Sequence, residues 1–261
     1  MKTPYYLIDE QLLEKNLKIL YTVKERTGCK ILLAQKCFSM FSVYPLIGKY
    51  LDGTTASGLF EAKLGHEEMK KENHVYSAAY RDDEIEEIMN ICDHVVFNSF
   101  NQWQKYQNLA KQTSTSCGIR INPECSTQIG HEIYDPCAKF SRMGVTLENF
   151  KEELLEGIEG LHFHTLCEQN SDDLITTIRA VEEKFGKYLG QMKWLKFGGG
   201  HHITRKDYDL EKLIKIINEI KEKYQVQVYL EPGEAVALNA GFLVSSVLDI
   251  THNGMAIAIM D

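Results

Sequence analysis

The sequence predicts an α/β protein built as a closed (β/α)8 barrel of the TIM type, with its first strand and its last strands assigned to an incomplete second β domain. Three observations lead there. Eight apolar or β-branched runs follow an N-terminal strand and helix, amphipathic stretches long enough for crossover helices separate most of them, and no doubly wound nucleotide fingerprint is present. The length of 261 residues also matches the roughly 250 that such a barrel needs.

Taken in order, Pro4-Tyr5-Tyr6-Leu7-Ile8-Asp9 reads as a short strand, and Asp9 can cap a helix whose Leu12, Leu13, Leu17 and Leu20 form an apolar stripe. The eight runs cover residues 30–36, 51–57, 74–79, 94–99, 116–123, 160–166, 194–200 and 226–232. The helical stretches are 81–92, 101–112, 171–189 and 210–224, each with apolar residues at helical spacing. Beyond Glu234 the rhythm changes, because 241–249 and 255–260 are β-rich runs joined by His252-Asn253-Gly254 with no helix between them. The expected division is a barrel over 10–237 and a β unit from 1–9 and 238–261. Two isolated strands have too little to pack against, so the chain is expected either to be a fragment or to pair these runs with the N-terminal strand or another chain.

Composition narrows the function. Apolar residues at 44% and charged residues at 25% are the balance of a soluble globular protein. The net charge of −8, from 37 acidic against 29 basic side chains, argues against a nucleic-acid partner and favours cationic ligands. No run of 18 apolar residues and no signal-peptide stretch follows Met1-Lys2-Thr3-Pro4, so no membrane association and a cytoplasmic location are expected. Seven cysteines, an odd number without a C-x-x-C pair or metal-ligand spacing, read as reduced thiols.

In such a barrel the chemistry sits at the C-terminal ends of the strands, and polar residues recur there. The first run ends Ala34-Gln35-Lys36, an amine at the mouth of an apolar strand that can form a Schiff base with an aldehyde cofactor, or simply leave the strand as a surface lysine. The sixth run alternates His162, His164 and Leu166 onto one side of the sheet. A histidine pair can bind zinc, but spacing offers no third ligand, so no metal is expected. One histidine can stack on a flat ring, and His162 can equally be a satisfied core residue. Gly198-Gly199-Gly200, followed by His201-His202, can form a phosphate nest or a tight turn. The eighth run ends at Glu231, a buried acid that needs a partner: a protonated pyridine nitrogen or a structural cation.

These motifs resemble those of the fold-type III pyridoxal 5'-phosphate-dependent decarboxylases, whose barrel is alanine-racemase-like. Pro4 to Asp9, Ala34-Gln35-Lys36, Thr55-Ala56-Ser57, Arg120-Ile121-Asn122-Pro123, His162-Phe163-His164, Gly198-Gly199-Gly200 and Glu231-Pro232-Gly233 occur in the family's order over nearly the whole chain. Longer strings are similar to those of the carboxynorspermidine (carboxyspermidine) decarboxylases: Tyr134-Asp135-Pro136-Cys137-Ala138, Ser141-Arg142-Met143-Gly144, Gly198 through His202-Ile203-Thr204, and Glu231-Pro232-Gly233-Glu234-Ala235.

The resemblance implies pyridoxal 5'-phosphate held by Lys36, with His164 stacked on its ring, Glu231 on its ring nitrogen and Gly198, Gly199 and Gly200 around its phosphate. Arg120 would support the site, and Cys167 stands where relatives often carry a serine near the phosphate. Glu234 departs from relatives that place arginine there, so the phosphate would rely more on glycine amides and on His201 or His202, and the added carboxylate suits a polycationic substrate, with His201 beside it. Thr55 stands where ornithine-type enzymes tend to carry an acid. The implied reaction is decarboxylation of carboxynorspermidine or carboxyspermidine in polyamine biosynthesis, in a homodimer. In the family a further β domain completes the partner subunit's site and includes a cysteine that protonates the carbanion; that residue is expected beyond Asp261, and a chain without it is expected to decarboxylate poorly. Competing readings are a non-catalytic cofactor-binding barrel, a diaminopimelate-type decarboxylase and an amino-acid racemase.

Overall fold

The computed structural model describes residues 2–129 and 132–261. The chain opens with β1 (Tyr5–Ile8) and α1 (Glu10–Thr27). Asp9 caps that helix by accepting from the Gln11 and Leu12 amides, and Leu13, Leu17 and Leu20 are fully buried while Leu12 lies at the margin. There follow β2 (Lys30–Ala34), α2 (Tyr44–Ile47), β3 (Gly53–Ala56), α3 (Leu59–Leu64), β4 (Glu72–Tyr76), α4 (Ile85–Ile91), β5 (His94–Phe97), α5 (Phe100–Ala110), β6 (Ser116–Arg120), β7 (Ile158–His162), α6 (Ser171–Leu189), β8 (Trp194–Lys196), α7 (Leu210–Tyr224), β9 (Gln227–Leu230) and α8 (Glu234–Ala237).

Strands β2 to β9 close into a parallel barrel, β9 pairing back onto β2 through Lys30 with Tyr229 and Ile31 with Leu230. Each of the eight expected runs overlaps one barrel strand, although β4 and β7 begin two residues ahead of theirs. The regular ladder stops one to four residues before the runs end, yet single backbone bonds continue: Gln35 N donates to Thr55 O at 3.1 Å and Glu231 N to Gly198 O at 2.9 Å. The strand ends therefore stay aligned as they splay into the mouth of the barrel.

Period-two alternation decides which side chains enter the barrel. Leu32, Val96, Trp194 and Tyr229 form an interior cluster separate from the layer between strands and helices, where Ile31, Leu33, Val95, Phe97, Leu195, Val228 and Leu230 pack. Gly118 and Gly160 make room for the Trp194 ring, since a Cβ would lie 2.1 Å and 2.0 Å from its atoms. Stepping two residues at a time from these interior positions reaches Lys36, Asn98, Arg120, His162, Lys196 and Glu231 at the strands' C-terminal ends. Core parity thus delivers polar groups to one place.

Among the described residues no α-helix lies between β6 and β7; short 3-10 turns at Leu147–Asn149 and Glu152–Leu154 are found there instead. Asn98 pins this connection to the barrel, donating to Arg142 O at 2.8 Å and accepting from Gly144 N at 2.7 Å and from Tyr76 Oη at 2.6 Å.

The C-terminal runs are β10 (Gly241–Val244), β11 (Val247–His252) and β12 (Ala256–Met260). The expected single run over 241–249 is broken at Ser245-Ser246, which lets β10 pair antiparallel with β1, Tyr5 opposite Val244, while β11 and β12 form an exposed hairpin. Among the described residues no helix is long and apolar enough to cross a membrane.

Candidate active site

Glu231 occupies the floor of the barrel mouth, 5% exposed. Thr55 Oγ1 donates to its Oε1 at 3.1 Å, Lys196 Nζ stands 4.0 Å from the same oxygen, and His162 Nε2 approaches Oε2 at 3.4 Å. Burial alone would raise this carboxyl, but His162, Lys196 and His164 around it hold it well below the usual carboxylate range. Burial also lowers His162 to about 4 and Lys196 to about 8, so at neutral pH the imidazole is uncharged and the positive charge beside Glu231 rests on the lysine. The result is an ionised carboxylate under an open cavity.

Arg120, 4% exposed, donates from Nη2 to His164 O at 3.0 Å and stacks its guanidinium over Tyr76, 4.6 Å from the ring centre. This fixes the backbone that carries His164, whose ring faces the cavity and receives a long contact from Gly199 N at 3.5 Å. Burial, with Arg120 and Lys36 nearby, keeps that imidazole well below its ordinary range and therefore neutral.

The glycine run touches backbone on every side. A Cβ on Gly198 would meet His164 Cβ at 2.6 Å, one on Gly199 would meet Glu231 O at 2.5 Å, and one on Gly200 would meet Leu166 O at 2.1 Å. Gly198 and Gly200 also adopt φ of 71° and 81°, a region that side chains disfavour. Gln169 N donates to Gly200 O at 2.9 Å and His202 N to Gln169 O at 3.1 Å, which zips the loop after β7 to the loop after β8.

A cavity of about 660 Å³ is lined by Lys36, Arg120, His164, Cys167, Gly199, Gly200, His201, Glu231 and Glu234 among others. A smaller one of about 260 Å³, sharing Lys36, Arg120, His164 and Glu231, adds Thr55, Tyr76 and His162. The candidate residues thus converge on one mouth, with Gly198 beneath it. Cys167 is exposed there, its thiol pushed up by burial and by Glu168. His201 is buried with neither ring nitrogen hydrogen-bonded, and burial lowers it to about 4.

Sequence spacing offered His162 and His164 no third metal ligand, but the fold brings Glu231 within 4.8 Å of both. Arg120, Lys36 and Lys196 surround that trio, and three nearby cations oppose a divalent ion. Sequence reading also passed over Lys196, Tyr76 and Asn98. The inward register set by Trp194 is the signal that could have found Lys196.

The residues present fit pyridoxal 5'-phosphate. An ionised carboxylate suits a protonated ring nitrogen, a neutral imidazole suits a ring face, a side-chain-free glycine cradle suits a phosphate, and Lys36 offers an exposed amine at the same opening.

No protein-family model matches the chain. It is 49% identical, over its whole length and 68% of the relative, to a carboxynorspermidine/carboxyspermidine decarboxylase of Campylobacter jejuni. It is 38% identical to a carboxyaminopropylagmatine decarboxylase of Synechocystis sp., covering 96% of this chain and 65% of that one. The crystal structure of the Campylobacter jejuni carboxynorspermidine decarboxylase complexed with norspermidine superposes with a TM-score of 0.92 at 47% identity, over all of this chain and 67% of that one. A barrel of this topology, with full-length identity at that level, places the chain in the carboxynorspermidine/carboxyspermidine decarboxylase family.

Proposed function

We propose that this chain uses pyridoxal 5'-phosphate to decarboxylate carboxynorspermidine or carboxyspermidine, giving norspermidine or spermidine. The observation that carries the reading is Glu231, an acid kept ionised at the floor of the barrel mouth by Lys196, His162 and Thr55.

Lys36 would hold the cofactor through its amine, Gly198, Gly199 and Gly200 would take its phosphate, and His164 would cover one ring face. Arg120 would act through its grip on the His164 carbonyl, and Cys167 would contribute near the phosphate. When bound, the cofactor supplies a ring that accepts the electron pair left as carbon dioxide departs. Glu231 holds a proton at the atom facing it, because a buried carboxylate beside a ring nitrogen is satisfied only when that nitrogen carries its proton. His164, being neutral, adds no charge to compete with it. Arg120 and Tyr76 keep the wall rigid, and Asn98 ties the long connection over the opening. On the substrate side Glu234, with His201 nearby, suits a cationic chain better than the arginine many relatives carry. Assembly as a homodimer belongs to the same proposal.

The test is a titration with pyridoxal 5'-phosphate, followed by carbon dioxide release from carboxynorspermidine, carboxyspermidine and carboxyaminopropylagmatine. The expected result is visible absorbance of a lysine-bound aldehyde in the parent, its loss in Lys36→Ala, and release from one of the first two substrates. Absorbance without release from any substrate would favour a non-catalytic cofactor-binding barrel.

A further inference from the structure

Two free thiols come together on the connection between β6 and β7. Cys125 and Cys137 are both half-buried, and the Cys125 backbone amide hydrogen-bonds the Cys137 sulfur. A sulfur held at that amide is within one side chain's reach of the Cys125 thiol. A disulfide joins Cα atoms about 4.4–6.8 Å apart, a span that a thiol bonded to its partner's own backbone can meet.

The two cysteines belong to different parts of the mouth. Cys125 stands on the frame: Glu124 N donates to Asn122 Oδ1 at 2.8 Å, Lys184 of α6 reaches Glu124 Oε2 at 3.1 Å, and Gln169 Nε2 donates to Thr127 O at 2.9 Å and to Thr127 Oγ1 at 2.7 Å. Gln169 is also the residue whose backbone joins Gly200 and His202, so this segment is continuous with the support of the glycine run. Cys137 stands on the wall, because Asp135, Pro136 and Ala138 around it line the larger cavity. These wall residues bond to one another: Cys137 N donates to Asp135 Oδ1 at 2.8 Å, Ala138 N to Asp135 O at 3.3 Å and Ser141 N to Ala138 O at 3.0 Å. The meeting of the two cysteines is therefore a joint between wall and frame.

We propose that Cys125 and Cys137 are a modification site, a thiol pair that a low-molecular-weight disulfide converts to a reversible disulfide tying the cavity wall to the frame of the glycine run. The Cys125 thiolate attacks one sulfur of the small disulfide, forming a mixed disulfide and expelling the first small thiol. The Cys137 thiolate then attacks Cys125 Sγ, forming the protein disulfide and expelling the second. The two protons lost by the cysteines end on the two released thiols, and the two electrons they give up reduce the small disulfide. The order of attack follows from the surroundings: burial and Asp135 push Cys137 up to about 11, whereas at Cys125 the Lys184 ammonium opposes the effect of burial. The inference is independent of the cofactor and of the substrate.

The experiment exposes the full chain, without added cofactor, to glutathione disulfide and maps the cysteines by mass spectrometry of peptides, with thermal melts and amide hydrogen exchange on the same samples. Cys125→Ser and Cys137→Ser are the variants. In the parent the expected result is loss of the mass of two hydrogen atoms, linked peptides containing Cys125 and Cys137, and a melting midpoint raised by about 4 °C or more. Exchange at the Asp135, Cys137 and Ala138 amides should slow at least about tenfold. Dithiothreitol should reverse all of these, and neither variant should show them. Glutathione retained on either cysteine of the parent, a linkage between other cysteines, or no reaction overturns the proposal. A Cys125 to Cys137 linkage with exchange unchanged overturns the tying of the wall. Should a variant fail to fold, the parent's peptide map and its reversal by reductant decide the matter alone.

Discussion

Lys196 Nζ lies 4.0 Å from Glu231 Oε1 with both side chains almost fully buried, so the acid of the site is held ionised by a lysine inside the barrel. The same ammonium sits 5.0 Å from the Trp194 ring centre and 6.0 Å from that of Tyr229. Those aromatic faces compensate part of its desolvation, and Glu231 compensates more. Lysine and glutamate are therefore one unit, and removing either exposes the other to an uncompensated burial cost.

Lys196→Met is expected to destabilise the fold by about 3 kcal/mol, because a buried charge losing its partner costs roughly that much. Adding Glu231→Gln should recover most of the loss, since removing both charges is close to neutral. Affinity for pyridoxal 5'-phosphate should fall at least tenfold in Lys196→Met and stay low in the double variant. Urea unfolding midpoints and absorbance titrations check this, and additive losses of stability would show that the two residues act independently.

Acid should unfold the protein early. Burial lowers His162 and His201 to about 4 and pushes His74, His94 and His164 below the ordinary imidazole range. In the unfolded chain each titrates near 6.5. Between the folded and unfolded values the unfolded chain binds more protons, so stability is full above about pH 6.5 and is lost as pH falls toward 4. Each histidine that must stay neutral contributes on the order of 1.4 kcal/mol per pH unit in that window. Urea midpoints at pH 7 and pH 5 should differ sharply, and His201→Gln should flatten the slope; equal midpoints would contradict the neutral assignments.

Gly160→Ala should destabilise the barrel by about 3 kcal/mol, since its Cβ would fall 2.0 Å from the Trp194 ring, and overpacking of a rigid core typically costs 1–3 kcal/mol. Trp194 cannot swing away freely, because its Nε1 donates to Ser116 Oγ at 2.8 Å. Trp194→Leu combined with Gly160→Ala should therefore be less harmful than the sum of the single changes. Thermal melts of the three variants measure that coupling.

Much of this architecture was legible because strand and helix periods leave a direct trace in sequence. Ser171–Leu189 and Leu210–Tyr224 carry apolar stripes and acidic residues at or beside their starts, and both are observed with the expected ends. Arg81 does not begin a helix: its guanidinium is engaged with Asp83, and α4 starts only at Ile85. The short α2 and α3 were not expected, being too brief for a periodic signal. The break at Ser245-Ser246 left no composition signal either, because it is set by β1 claiming β10 as a partner far away in sequence. At the site, residues on glycine-rich or family-like strings stood out, whereas Lys196 lies on no such string. Its meaning depends on which way residue 194 faces, and that is fixed only when Gly118 and Gly160 admit the indole.

Gly200→Ala tests whether the glycine run serves the cofactor as well as the turn. Its φ of 81° disfavours a side chain, and its Cβ would sit 2.1 Å from Leu166 O and 2.4 Å from Leu166 C, so backbone must move. The displaced segment is the loop bearing Cys167 and Glu168, which Gly200 O holds through Gln169 N. Affinity for pyridoxal 5'-phosphate should therefore drop at least tenfold, measured as visible absorbance against cofactor concentration, while the barrel still unfolds cooperatively. Gly190→Ala is the control, because nothing lies within 4 Å of its Cβ and its φ of −69° suits any residue, so cofactor affinity there should be unchanged. A Gly200→Ala chain that binds as tightly as the parent would mean that the phosphate is held by groups other than this backbone.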